Sequence, residues 1–263
     1  MRLTRTIAIA NQKGGVGKTT TCVNLAAAMV EQGKKVLLID NDPQANLTSY
    51  LEGSKDASLF KSKSTIDELY LSKRVPSLSD AKEQYVRSYQ ISFDYIAADK
   101  ELSGVEYYLY TRSEREHALS KNLSWARGEY DFIVIDNPPS VNLLTINALT
   151  TATEVLIPVQ TEFFSLEGIV KMQETIKLVR DRWNPALKIA GILPTQVDGR
   201  KKLASEVLKL LGEHFPDDLL TSRIRDNSKL AESSGHGKTI LNYAPSSIGA
   251  EDYRLLADEV LAR

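Results

Sequence analysis

Short apolar runs recur along the chain at Thr6–Ala10, Val36–Ile39, Phe132–Ile135, Val155–Val159 and Ile189–Leu193, with a weaker one at Ile91–Ala97. They are nearly continuous rather than alternating, as strands covered on both faces are. Between them the period changes. Cys22, Leu25, Ala26, Met29 and Val30 follow helical spacing after the first run, and Tyr253, Leu256, Ala257, Val260 and Leu261 repeat it at the end. Strand–helix alternation predicts βαβ crossovers and an α/β fold, a doubly wound, mostly parallel sheet flanked by helices. No internal repeat or low-complexity linker interrupts the pattern, so residues 1–263 read as a single domain. The stretch Gly53–Gln90 is polar and Ser/Lys-rich, with a short helical pattern at Thr65–Leu71; it reads as an insertion packed on the surface.

Composition narrows the classes. A chain of 263 residues, 42% apolar and 25% charged, buries a core without disulfide or metal staples. Lys+Arg of 33 against Asp+Glu of 34 gives a net charge of −1, which excludes a globally basic nucleic-acid binder but not a local basic face. Cys22 is the only cysteine, which fits a reducing cytosol and leaves no cysteine-built metal site within one chain. The three histidines, His117, His214 and His236, lack metal-ligand spacing. No apolar run is long enough for a membrane span. Arg2 and Arg5 have no long apolar stretch behind them, so the start does not read as a secretory signal.

The strongest chemical signal follows the first strand. Gln12-Lys13-Gly14-Gly15-Val16-Gly17-Lys18-Thr19-Thr20 leads into the first helix. The phosphate-loop pattern G-x-x-x-x-G-K-[ST] fails only at its first glycine, where Gln12 stands. Glycines let the backbone curl so that N–H groups point at phosphate oxygens, and the helix N-terminus adds partial positive charge. Lys18 is then expected to bridge β- and γ-phosphates, and Thr19 to bind Mg²⁺. Asp40 and Asp42 follow the second strand and Asp136 the third; ligands of a doubly wound sheet sit beyond these strand ends. Asp136 is the expected holder of Mg²⁺ through water, and Asp42 the orienter of the attacking water; Thr19, Asp42 and Asp136 are the metal-side candidates. Asp is also common after strands as a helix cap, a bland alternative that weakens when three stand at successive strand ends.

The segments "KGGVGKTT", "LLIDNDPQAN", "DFIVIDNPPS", "IPVQTEFFSLEG" and "GKTILNYAPSSIGAEDY" together resemble the ParA/Soj partition ATPases, within the deviant Walker A group of P-loop NTPases that also contains MinD. The resemblance runs from about Thr6 to Leu261. It implies ATP and Mg²⁺ as cofactors, and Lys13 as a signature lysine reaching the partner's nucleotide in an ATP-sandwiched homodimer. It implies that Asp42 helps hydrolysis and that Asp40 belongs to a nucleotide-sensing switch. A cation arriving from a second subunit would stabilise phosphate charge as an arginine finger does. Two departures stand out: Ala45 replaces the family's usual glycine, and "RDNSKLAESSG" from Arg225 to Gly235 lacks the proline that often helps form the base pocket.

Thr195-Gln196-Val197-Asp198 is a partial match to the guanine motif [NT]-K-x-D; Gln in place of Lys, and the resemblance, favour ATP. Two basic groups, Arg200-Lys201-Lys202 and Arg223/Arg225/Lys229, are candidate outputs, although charge runs are more often solvated faces. The resemblance implies nonspecific DNA binding through Arg200, Lys201, Lys202 and Lys229, a ParB-type centromere-binding partner, and a cytoplasmic, nucleoid-associated location. Phosphate binding needs cations on one face, not a positive total. A MinD-like membrane helix is disfavoured, because Glu251, Asp252, Asp258 and Glu259 crowd the polar side of the last helix. An iron–sulfur carrier is disfavoured by the single cysteine. The remaining alternative is a related ATPase that positions a protein cargo.

Overall fold

The computed structural model describes residues 3–53, 63–90, 92–162 and 165–263. Seven strands form one sheet: β1 (Arg5–Ile9), β2 (Val36–Asp40), β3 (Val86–Tyr89), β4 (Phe93–Ile96), β5 (Phe132–Asp136), β6 (Glu154–Gln160) and β7 (Lys188–Thr195). Their order is β3-β4-β2-β5-β1-β6-β7, parallel throughout except where β3 runs antiparallel to β4 at one edge. The α/β class and the doubly wound parallel sheet stand as the alternating pattern implies.

Side chains of one strand go alternately to opposite faces, and both faces are covered. Ile7 and Ile9 of β1, Leu38 of β2 and Val134 of β5 enter one core, against α1 (Lys18–Glu31) and α12 (Ile248–Ala262). Leu37, Ile39, Ile133 and Ile135 enter a second core, and Ala8 and Ile157 a third, on the other side. This double coverage is the physical cause of the continuous apolar runs. Cys22, Leu25 and Met29 of α1 meet Tyr253, Leu256 and Val260 of α12, the two helical stripes visible in the sequence.

The stretch 53–90 departs from the expectation of a surface insertion. Residues 54–62 lie outside the described residues. The remainder contributes α3 (Ile66–Leu71), α4 (Leu78–Gln84) and the edge strand β3. Ile66, Leu69 and Tyr70 are fully buried, and Tyr85 and Tyr89 nearly so. Five apolar side chains spaced through a polar stretch gave no continuous run, yet they cap one end of the sheet. The weak run at 91–97 contains β4; Ile91 itself lies outside the described residues.

Between α8 (Ser165–Arg182) and the last helix the chain braces β7. Leu220 N donates to Ile192 O at 3.0 Å and Ile192 N to Asp218 O at 2.7 Å. Gly191 permits this close approach, since a Cβ there would collide with the Leu220 side chain, itself 2% exposed. Gly191→Ala is therefore expected to lower stability by about 1–3 kcal/mol through overpacking, read as a fall in the urea midpoint without a change in slope.

Candidate functional site

The phosphate loop runs from the end of β1 into α1. Its first half is anchored by Asn11, whose Nδ2 donates to Pro158 O at 2.7 Å while Oδ1 accepts from Lys13 N at 3.0 Å. Gly15 and Gly17 have φ of 75° and 82°, a left-handed backbone that side-chain-bearing residues rarely adopt. A Cβ on Gly14, Gly15 or Gly17 would meet nothing within 4 Å, so the loop encloses open space rather than packed protein. Val16 is buried. No acidic residue occupies the first turn of α1, whose positive end is left for an anion.

Lys18 is buried and its Nζ donates to Lys13 O at 3.0 Å. Burial lowers its pKa, while Asp136 and Asp42 act in the opposite direction. Thr19 Oγ1 donates to Asp136 Oδ2 at 2.6 Å. Thr19 and Thr20 line the cavity, and Thr20 O accepts from Asn24. Lys13 points elsewhere: its Nζ lies 2.5 Å from Glu162 Oε2, an exposed pair on the outer side of the loop.

Parallel register puts Asp40 directly beside Asp136. Both are essentially inaccessible to solvent, and Asp42 is 6% exposed. Their surroundings differ. Asp40 accepts from Thr48 Oγ1 at 2.7 Å, Thr48 N at 2.8 Å and Asp42 N at 3.2 Å, so it ties the segment 42–48 to the strand end. That segment leads into α2 (Asn46–Glu52), entered through Ala45 at φ 52°. Asp42 Oδ1 accepts from Gln44 N, and Asp42 lines the cavity. Among the described residues Asp136 Oδ1 is buried with no hydrogen-bond partner within bonding distance, although the Cys22 thiol lies close by. Asp136 is raised to about 7, by burial and then by the neighbouring Asp40 carboxylate, and Asp40 to about 6, by burial against hydrogen bonds from Thr48 that hold it down.

A magnesium ion fits these residues. An orphaned buried carboxylate oxygen beside a threonine hydroxyl is a donor set suited to a hard cation. Among the described residues no group of three His, Cys, Asp or Glu side chains forms a metal cage. Mg²⁺ needs none, because it keeps water and phosphate oxygens as ligands.

Two adjoining cavities make one cleft. The phosphate half, about 420 Å³, is lined by the loop together with Asp42, Gln44, Asn46 and Pro139. The second half, about 330 Å³, is walled by Ile224, Leu230, Ala231 and Tyr253 with Arg225, Asp226 and Asn227 at its polar side. Gly17, Thr20 and Gln196 border both. The departing segment 225–235 therefore does line the apolar half, without the proline. Gln44, Asn46 and Pro139 lie in segments that carry the resemblance but were given no role of their own, and Gln196 lay in a motif that suggested another role. Asp198, its supposed base reader, instead holds Arg200 Nε and Nη2 at 2.8 and 3.0 Å, which lowers its pKa to about 2. It does not line the cleft, so the guanine reading finds no support in the geometry.

The two basic groups lie side by side. Val197 N donates to Ile224 O, and Asp226 N to Val197 O, stitching the end of β7 to the strand-like segment before α10 (Ser228–Gly235). Arg200, Lys201 and Lys202 have side chains 89%, 69% and 93% exposed, each within 4.0 Å of Asp198 or Glu206. Lys229 is half exposed beside Glu232. Arg225 is different: the buried Asp252 grips it, exposed Glu251 adds a second carboxylate, and its backbone N donates to Asp252. It belongs to the cleft wall, not to a free cationic surface.

Other expectations resolve locally. Cys22 is fully buried, and burial raises its thiol. His236 stacks on Tyr243 at 5.2 Å. The acidic residues of α12 are engaged: Glu259 accepts from Thr221 N and Ser222 N, and Asp258 from Gln32. Among the described residues, no helix is long and apolar enough to cross a membrane.

A central parallel sheet, a glycine loop after β1 and carboxylates at the ends of β2 and β5 define a phosphate-loop nucleotide-binding fold. The family described as "AAA domain" matches residues 4–189. The sporulation initiation inhibitor protein Soj of Bacillus subtilis is 41% identical over 97% of this chain and 98% of that protein. The chromosome-partitioning ATPase Soj of Treponema pallidum is 40% identical over 98% of each. The chromosome partitioning protein ParA of Caulobacter vibrioides is 39% identical over 98% of this chain and 94% of that protein. The chain belongs to the Soj/ParA family of chromosome-partitioning ATPases. Among solved structures it is similar to a cobyrinic acid a,c-diamide synthase from Mycobacterium smegmatis with bound ADP and magnesium (TM-score 0.81, 35% identity, 98% of this chain, 94% of that one). It shares its fold with the cell division ATPase MinD of Pyrococcus furiosus (TM-score 0.75, 24% identity, 98% of each chain).

The raised acids carry a pH signature. Between the ordinary Asp value of 3.8 and about 7, the folded protein retains protons that the unfolded chain has released. Their contribution to stability therefore falls as pH rises through that window. The nucleotide-free protein is expected to lose roughly 4 kcal/mol from these two groups together between about pH 5 and about pH 7.5. Asp136→Asn should flatten that part of the profile. Urea midpoints of both proteins across the range provide the measurement.

Proposed function

We propose that residues 1–263 form one ATPase domain that acts as a nucleotide-timed dimer on DNA in partition. The observation that carries this reading is the divergence of two lysines on one phosphate loop. Lys18 turns inward beside Asp136 and Asp42, while Lys13 is on the surface and turned away from the cavity it belongs to. Such a cation is of little use to its own nucleotide and is available to a second subunit.

In this reading the backbone of Gly14–Thr20 cradles the phosphates, and Lys18 neutralises charge on the β- and γ-groups. Thr19 and Asp136 would hold Mg²⁺, with Asp42 as the further metal-side residue; the ion would supply charge stabilisation for the transferring phosphoryl group. Asp42 orients the attacking water. Asp40, through Thr48 and the backbone of Asp42, sets where that segment sits and so links hydrolysis to the position of α2. The apolar cavity takes the base. ATP is favoured because Asp198 is committed to Arg200, and because the M. smegmatis structures contain ADP or an ATP analogue with magnesium.

Dimerisation brings two copies of the Arg200–Lys202 and Lys229 surface together, and contacts with duplex phosphates then add. A closed dimer that hydrolysed ATP quickly on its own would not persist on DNA. The reading therefore includes a stimulating partner, a ParB-type centromere-binding protein, and a cytoplasmic, nucleoid-associated location without membrane attachment. The chromosome-partitioning names of the relatives near 40% identity support partition over the synthase activity.

Two experiments test the proposal. Lys13→Ala should retain nucleotide binding but lose the ATP-dependent dimer in light scattering; a normal dimer would reduce Lys13 to a solvated loop residue. For the output, wild type with ATP, but not ADP, should bind unrelated duplexes with an affinity that falls steeply with salt. Replacing Arg200, Lys201 and Lys202 together by Ala should weaken all sequences about equally and flatten the salt slope while the dimer still forms. Absence of ATP-dependent DNA binding by wild type at low salt would sink the DNA reading and favour a protein cargo.

A further inference from the structure

Gln196 combines features that neither its sequence motif nor the nucleotide chemistry explains. Its backbone is left-handed, with φ of 51°, at a residue that is neither glycine nor asparagine. Such a conformation persists only where the surroundings over-determine it. Its side chain supplies the reason: Nε2 donates to Gly15 O at 2.7 Å, and Oε1 accepts from Gln160 Nε2 at 2.7 Å. Gln160 Nε2 also reaches Gly15 O, at 3.2 Å. The preceding residue repeats the contact one peptide on, since Thr195 Oγ1 donates to Val16 O at 2.9 Å.

These bonds act on the part of the loop that has least conformational restraint of its own. Gly15 lies at φ 75° with nothing packed against its Cβ position, so it would otherwise sample many orientations. A peptide unit is planar and trans, and its carbonyl and N–H point in opposite directions. Fixing Gly15 O therefore fixes the direction of Val16 N–H, and fixing Val16 O fixes Gly17 N–H. Gln196 also borders both halves of the cleft, the phosphate cavity and the apolar one.

We propose that Gln196 is a positioning residue that, braced by Gln160, locks the Gly15–Gly17 peptides in their anion-binding orientation from the far wall of the cleft. This rests on the nucleotide-binding reading above. Gln196 acts through the loop backbone and touches no reacting atom. The strained turn at the end of β7 is retained because it delivers the amide to Gly15.

The test separates the loop from the base. Gln196→Gly removes the amide but suits the left-handed backbone, so the nucleotide-free protein should keep its thermal midpoint. Affinity for inorganic tripolyphosphate and for Mg²⁺-ATP should fall by the same factor, about tenfold, the scale of one lost hydrogen bond. Amide exchange at Val16 and Gly17 should quicken in the nucleotide-free variant. Gln160→Leu should show a smaller loss of the same kind, and, because part of its effect passes through Gln196, the double variant should lose less than the sum of the two single losses. A fall for ATP with tripolyphosphate unchanged would make Gln196 a base contact and overturn the proposal. Unchanged amide exchange, or a thermal midpoint lowered by several degrees, would overturn it equally. Wild type that binds neither ATP nor tripolyphosphate would remove the nucleotide-binding reading itself, and is read on wild type alone.

Discussion

The parallel pairing of β2 with β5 sets two carboxylates, Asp40 and Asp136, side by side in a place that water does not reach. Two desolvated acids in register repel, and each carries a cost that only specific partners offset. The structure meets that constraint by unequal treatment. Asp40 is saturated by Thr48 and by the backbone of Asp42, which commits the segment 42–48 to one path. Asp136 receives one hydroxyl from Thr19, lies near the Lys18 ammonium, and, among the described residues, keeps one oxygen without a hydrogen-bond partner. The stable half of the pair thus organises the chain, and the unsatisfied half is left with capacity for a cation. Placement of the phosphate loop follows, because α1 must bring Lys18 and Thr19 within reach of Asp136.

Much of this was legible in the sequence, because it rests on local period and short spacing. The strands of the sheet interior are continuous apolar runs since each is covered twice. The loop is legible because glycines, lysine and threonines are consecutive. Asp40, Asp42 and Asp136 are legible because each follows a strand. What escaped is built from distant pieces. The apolar half of the cleft joins Gly17, Gln196, Leu230 and Tyr253, from four elements that share no spacing. Strand β3 is four residues long, at an edge, and carries Arg87 and Ser88 beside Val86 and Tyr89, so neither run nor alternation marks it. Arg225 reads as a member of a basic cluster until the chain returns at Glu251 and Asp252 to capture it.

The resemblance to partition ATPases supplied what spacing does not, above all the separate role of Lys13. The geometry adds a physical reason why the lysines differ. Lys18 is enclosed, and its charge is needed to balance Asp136 and Asp42 even before a nucleotide arrives. Lys13 has no such obligation, and Glu162, its side-chain partner among the described residues, is itself more than half exposed.

That contrast extends across the molecule and bears on reversibility. Cations that shape the cleft are tied to buried groups: Lys18 lies beside Asp136 and Asp42, and Arg225 is bound to Asp252. Breaking a buried pair leaves an uncompensated charge and is expensive. Of the cations assigned to partners, Lys13, Lys202 and Lys229 pair with carboxylates that are themselves well exposed, while Arg200 and Lys201 are exposed but share Asp198, which is only 10% exposed. Such pairs contribute about 0–1 kcal/mol each, so a phosphate can replace the carboxylate at little cost. When the phosphate leaves, the carboxylate takes the cation back. Within the proposed cycle, the nucleotide cleft therefore keeps its form while dimer and DNA contacts are made and released. A switch that must let go after hydrolysis is better served by these weak, exchangeable pairs than by free cations, which would hold a polyanion more tightly.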